Sequence, residues 1–153
     1  TGCCPKFNPG GWDGQELHFK DKKFVRAQTR NALHIPLNMG SVFSRVQGKI
    51  EDAGAYDPDN MLVLSHELSP WKSEHFFAVD RDIPGEDMTT LSGDYLTKVF
   101  EGPYSSVKDW HGEMESAVRA KGGEPNDIYF FYTTCPKCAK AYGQNFVVGV
   151  AGY

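Results

Sequence analysis

Apolar residues fall along this chain in two stripes at helical spacing, each set between runs of extended character. In NMGSVFSRVQGKIEDAG, Met39, Val42, Phe43, Val46, Ile50 and Ala53 recur at steps of three and four, which lines them along one face of an amphipathic helix. Asn38 stands where an N-cap belongs, and Gly54 where a left-handed residue would end the helix. In SSVKDWHGEMESAVRAKGG, Val107, Trp110, Met114, Ala117 and Val118 make the second stripe. Ser105 or Ser106 can cap its start, Arg119 and Lys121 suit the negative end of its dipole, and Gly122 and Gly123 stop it.

The flanks of the two helices correspond. KFVRAQTRNALHI precedes the first and DYLTKVFEGPY the second, both extended in character, and QELHFK reads as an extra leading strand. After the helices, Pro58 answers to Pro125, Leu62–Leu64 to Tyr129–Phe131, Pro70 to Pro136, and Phe76–Val79 to Phe146–Gly149, at a nearly constant offset. Alternation at Phe24, Arg26 and Gln28 predicts a sheet with one wetter face. The expected architecture is therefore α+β: a duplicated strand–helix–strand–strand module, forming antiparallel sheet with two main helices. Residues 1–153 are read as one domain, with 1–21 as tail and leading strand, 22–83 as the first module and 84–153 as the second.

Composition narrows the function. With 16 Lys and Arg against 20 Asp and Glu, the net charge is −4, and no basic cluster appears. That argues against a nucleic-acid partner and against a polybasic membrane patch. No apolar run reaches the ~20 residues that span a bilayer, and the N-terminal TGCCPKFNPGGWDG lacks a charged-then-apolar leader pattern, so a cytoplasmic location is expected. Ten Phe, seven Tyr and three Trp supply core area and flat faces for a ligand.

Ile83-Pro84, Gly93-x-Tyr95, Gly102-Pro103-Tyr104, Trp110 and the stop at Gly122, within the duplicated layout from about Lys22 to Val150, resemble the GyrI-like domain, the effector-binding domain of bacterial multidrug regulators. The resemblance implies two modules about a pseudo-twofold, with an aromatic groove between them for bulky hydrophobic, often cationic small molecules. Regulators fuse this domain to a DNA-binding helix-turn-helix; here the resemblance implies a stand-alone form, whose relatives sequester a partner or hydrolyse reactive toxins. The regulators also carry a buried glutamate on the strand after the second helix. The matching strand here centres on Tyr129-Phe130-Phe131-Tyr132 and has no carboxylate there. Ring faces alone attract a cation by roughly 0.5–2 kcal/mol.

The stretch TCPKCAK holds Cys135-Pro-x-Cys138. A glutaredoxin-like centre needs such a motif at an early strand-to-helix turn, whereas only 15 residues follow Cys138. Between two strands the same motif makes a knuckle suited to zinc, with Cys3 and Cys4 as the other ligands, or with one of His18, His34, His66, His75 and His111 replacing one of these. Free thiols and a regulatory disulfide are the further alternatives. No cofactor is required by the sequence, and a structural zinc is the one metal its cysteines allow.

For chemistry, Glu101 in VFEGPY and Glu67 in LSHELSPW are the candidate carboxylates that activate water, and Tyr104 is the candidate donor to a ligand or leaving group. Trp71, Phe77, Tyr104, Trp110, Phe130 and Tyr132 are the candidate ligand-lining rings; for Trp110 the apolar stripe equally supports a core position. His34 reads as structural, and GGWDG as a turn. No Ser-His-Asp order, phosphate-binding loop or dinucleotide fingerprint is present. The expected partner is a bulky hydrophobic small molecule, bound and sequestered or bound and hydrolysed. A zinc-stabilised interaction module is the third reading, and the oligomeric state is left open.

Overall fold

The computed structural model describes residues 10–33, 35–55, 62–133, 143 and 145–153, the side chains of Ile35, Pro36 and Tyr104 excepted. The chain is α+β, with antiparallel strands and two helices in the order β1 (Glu16–Ala32), β2 (Ile35–Pro36), α1 (Met39–Asp52), β3 (Val63–Ser69), β4 (Lys72–Ala78), β5 (Met88–Glu101), a 3-10 turn (Tyr104–Ser106), α2 (Val107–Ala120), β6 (Ile128–Tyr132) and β7 (Phe146–Gly152). It divides into two compact units. The N-terminal unit is Phe19–Ser92, and the C-terminal unit is Thr1–His18 with Gly93–Tyr153. The long strands β1 and β5 each contribute one end to each unit.

In the N-terminal unit the strands run β2-β1-β4-β3. Val25 faces Phe77, Ala27 faces His75 and Thr29 faces Ser73 across β1 and β4, while Ser65 faces His75 and His66 faces Glu74 across β3 and β4. Successive side chains point to opposite sides of a sheet, so this register sorts the unit into two faces. Val25, Ala27 and Phe77 lie on the face covered by α1, where they join Val46, Ile50, Ala55, Val79 and Ile83 in one core. Phe24, Arg26, Leu64, His66, Glu74 and Phe76 share the opposite, helix-free face.

The helix α1 ends as its sequence predicts. Gly54 has φ +69°, and the amides of Gly54 and Ala55 donate to the carbonyls of Glu51 and Ile50, a Schellman closure. Its start differs from expectation. Asn38 occupies the cap position but makes no side-chain cap bond; its Oδ1 accepts from the Arg30 amide at 2.7 Å, because β1 offers a closer donor than the first turn.

The C-terminal unit orders its strands β6-β7-β5, with Phe100 facing Val147, Lys98 facing Gly149 and Phe130 facing Gly149. The helix α2 lays Trp110, Met114 and Val118 on Phe100, Ile128, Phe130, Val147 and Ala151. Trp110 stacks on Phe100 at 5.2 Å between ring centres. This helix closes like α1, Gly122 and Gly123 donating to Arg119 and Val118 with Gly122 at φ +88°. The segment read as a simple turn is stitched to β5: Gly14 donates to the Thr97 carbonyl, the Val99 amide to Asp13 Oδ1, and the Thr97 hydroxyl to the Trp12 carbonyl. Trp12 itself lies 5.8 Å from Phe131.

Gly149 is where the helix presses closest. A Cβ there would lie 2.5 Å from Met114 Sδ and 3.1 Å from Phe100 Cε2. Met114 is fully buried. Gly149→Ala is expected to cost about 1–3 kcal/mol of stability, and Met114→Ala about 2–5 kcal/mol. Thermal melts of the double variant should show less than the sum, since the second change vacates the space the first needs. Additive losses would contradict this contact.

Candidate functional site

Glu74 is the most heavily buried carboxylate on the helix-free face of the N-terminal unit. It belongs to β4, which is buried on both faces from Ser73 to Phe77. A charged side chain in such a strand needs partners, and Glu74 has two. Arg26 Nε donates to Oε2 at 2.6 Å, and His66 Nε2 lies 2.9 Å from Oε1. The side chain of Glu74 is only 10% exposed, against 40% for Arg26 and 22% for His66. Burial works against its charge, but the hydrogen bonds from His66 and Arg26, with their positive charge, outweigh it and hold the carboxyl below the usual glutamate range.

Local sequence makes the trio. Gln28, Glu74 and His66 share one cross-strand row, and Arg26, Phe76 and Leu64 the next. Arg26 therefore reaches Glu74 diagonally, while His66 reaches it directly. The second row is apolar interior, with Phe24 and Leu64 fully buried and Phe76 nearly so, which lowers the polarity around the pair. The His66 ring lies 6.0 Å from Phe76 and tilted to it. When His66 is neutral and donates Nε2–H to the carboxylate, its basic lone pair is on Nδ1. Such a pair can take a proton from water.

Behind this face, on the α1 side, runs a buried polar string. His75 lies 2.8 Å from the Thr29 hydroxyl and 2.7 Å from that of Ser65, while Asn31 donates to Ser73 at 2.7 Å. Phe43 of α1 meets His75 edge-on at 4.9 Å. Burial, with the nearby charge of His66, pushes the His75 imidazole down to about 4. At 1% exposure it is a neutral structural group rather than an accessible base.

The residues singled out from sequence take varied places. Glu67 lies exposed on β3 opposite Ser73, and Glu101 lies exposed at the end of β5. Phe77 is in the core of the N-terminal unit; Trp110 and Phe130 are in that of the C-terminal unit, with Tyr132 packed against it. Trp71 stands 58% exposed at the β3–β4 turn. Tyr104 begins the 3-10 turn, and its side chain lies outside the described residues. So do His34 and all four cysteines, Cys3, Cys4, Cys135 and Cys138. Among the described residues no group of three or more His, Cys, Asp or Glu could hold a metal ion, and no helix is long and apolar enough to cross a membrane.

Glu74 was missed because LSPWKSE reads as the loop between two strands, while β4 starts at Lys72 after a two-residue turn; His66 entered only as a possible zinc ligand, and Arg26 only in the alternation of its strand. The available signal was a glutamate two residues before Phe76 in an unbroken strand, and hence on the same side as that ring.

No curated protein sequence matches the chain. Among solved structures, an uncharacterized conserved protein from Listeria innocua is similar in fold, with TM-score 0.59 and 10% identity over 91% of each chain. The structure of SAV2435 bound to tetraphenylphosphonium is similar with TM-score 0.53 and 13% identity, over 92% of this chain and 93% of that one. At such identities the likeness is one of fold. The family model described as bacterial hydrolase matches residues 1–153, so the chain belongs to that family.

Proposed function

We propose that this chain is a GyrI-like small-molecule-binding protein, built from two copies of one module, that hydrolyses a bulky, largely apolar ligand at the helix-free face of its N-terminal unit. The observation that carries the reading is Glu74, a nearly buried carboxylate with one donor on each oxygen, in a chain of a hydrolase family. The role first considered for the exposed Glu67 or Glu101 passes to this site. Similarity in fold to a structure bound to tetraphenylphosphonium supports a bulky apolar ligand.

In this reading Arg26 fixes the carboxylate, and the carboxylate fixes His66 with Nδ1 as base. Nδ1 takes a proton from water as the water oxygen bonds to the electrophilic carbon. As the bond from that carbon to the leaving group breaks, Nδ1–H returns the proton to the leaving atom. General-base assistance of this kind contributes about 10²–10⁴-fold. Glu74 touches only His66 and Arg26 in this scheme, and is a positioning residue.

Incubation with a panel of hydrophobic aryl esters, lactones and epoxides in ¹⁸O-water tests the proposal by product mass. Multiple turnovers giving product with one water-derived oxygen are expected. Tight binding of the panel with no product, or one stoichiometric adduct per chain, would reduce the protein to a sequestering role and overturn hydrolysis.

A further inference from the structure

The register that builds the Glu74 site continues one row further, to a place where two cations face each other. Arg30 on β1 is directly opposite Lys72 on β4. Alternation puts both on the helix-free face, two residues (roughly 7 Å along the strand) from Gln28 and Glu74. Like charges directly opposed across a sheet repel and destabilise it. Both residues are exposed, and among the described residues no carboxylate pairs with either. Glu74 does not compensate them, because its charge is matched by Arg26. Glu67, the nearest acid along β3, pairs in register with Ser73 and so belongs to the other face. The row is a concentration of positive charge in a chain whose net charge is −4.

The same end of the unit carries apolar surface. Leu33, Leu37, Leu68 and Trp71 are the large hydrophobic side chains that stand exposed among the described residues, at 68%, 65%, 48% and 58%. The backbone ties three of them to the cation row: Leu37 N–H donates to the Arg30 carbonyl, Asn31 N–H donates to the Trp71 carbonyl, and Leu33 follows β1 directly. Leu68 flanks the bulge beside Ser69, the residue opposite Lys72. Leu33 holds φ +47° because it opens the two-residue hairpin turn between Ala32 and Ile35, which fixes it at the tip of the strand pair.

We infer that Arg30 and Lys72 form an anion subsite, and that the molecule this protein takes is an amphiphilic organic anion: an apolar body lying on Trp71 and the neighbouring leucines, with its carboxylate, sulfonate or phosphate between the two cations. This rests on the reading of the Glu74–His66 pair as the reaction centre, beside which the subsite lies. It reverses the charge preference that fold similarity to a tetraphenylphosphonium-bound structure would suggest.

Tetraphenylborate and tetraphenylphosphonium, matched in shape and opposite in charge, separate the effects of shape and charge. Calorimetric titration of the full chain is expected to give a Kd at least about tenfold lower for the borate, falling off with added salt. Arg30→Gln with Lys72→Gln should remove about tenfold of borate affinity. Lys72→Glu alone should weaken the borate and strengthen the phosphonium. Thermal melts confirm folding, which relief of the opposed charges should not impair. Glu74→Gln should lower kcat on a hydrolysed ester by about 10²–10⁴-fold without weakening the borate. Loss of turnover with borate binding unchanged in the Arg30 and Lys72 variants overturns the subsite alone. Charge-dependent borate binding with full turnover in Glu74→Gln overturns the reaction centre alone. Equal or tighter binding of the phosphonium to the unaltered chain overturns the inference outright.

Discussion

His66→Asn should lower kcat on a hydrolysed substrate by about 10²–10⁴-fold with little change in KM, because it removes the base that acts in the transition state while keeping a polar side chain of similar reach. Glu74→Gln should lower kcat by a similar order. Both residues sit in one chain of contacts, Arg26 to Glu74 at 2.6 Å and Glu74 to His66 at 2.9 Å. Their effects should therefore not multiply: the double variant should be no slower than His66→Asn alone, since a carboxylate that works through an imidazole has nothing left to position once that imidazole is gone. Multiplying losses would mean that Glu74 acts on substrate independently. A glutamine at position 74 keeps the volume of the native side chain, so a normal melt for Glu74→Gln is required before its kinetics are interpreted.

The second large effect concerns stability in acid. His75 is fully buried between the hydroxyls of Thr29 and Ser65. Either hydroxyl can turn to accept from the ring, so charging it breaks no hydrogen bond; desolvation is the main cost. Its folded value of about 4 lies below the ordinary 6.5. As pH falls below about 6.5 the unfolded chain binds a proton that the folded chain refuses, and the folded state loses ground until pH reaches about 4, where both forms are protonated. The span corresponds to about 3 kcal/mol. Stability from this residue is thus complete above pH 6.5 and gone below pH 4. Denaturant melts across that window should show the fall, and His75→Gln should flatten it. Glu74 adds a loss of the same sign at lower pH, since its carboxyl is held below the usual range. A native chain equally stable at pH 4 and pH 7 would contradict the placement of His75.

Much of this was legible in the sequence. The stripes Met39–Ala53 and Val107–Val118 became α1 and α2, and Gly54 and Gly122 ended them, because helical periodicity and left-handed glycines are local signals. The strands built on Leu62–Leu64, Phe76–Val79, Tyr129–Phe131 and Phe146–Gly149 were equally clear. What was not legible depends on strand parity. Phe77 and Phe130 look like ligand-facing rings in a one-letter string, yet register sends them to the helix-covered side, and Phe76 to the other. Ser73 and Glu74 read as the end of the loop LSPWKSE, whereas the two-residue turn at Pro70-Trp71 already starts β4. A one-residue shift exchanges the faces of a strand, so locating the reaction centre required the register itself.

Observing His66 directly while ligand binds is the most direct test of the site. The chain, labelled with ¹⁵N in its histidine rings, would be titrated with an ester it hydrolyses, or with the product acid, and followed by NMR. The ring signals of His66 should move, with half the full change at the concentration that half-saturates turnover, while those of buried His75 stay fixed. Saturable binding that leaves the His66 signals unmoved would place the ligand elsewhere and contradict the account.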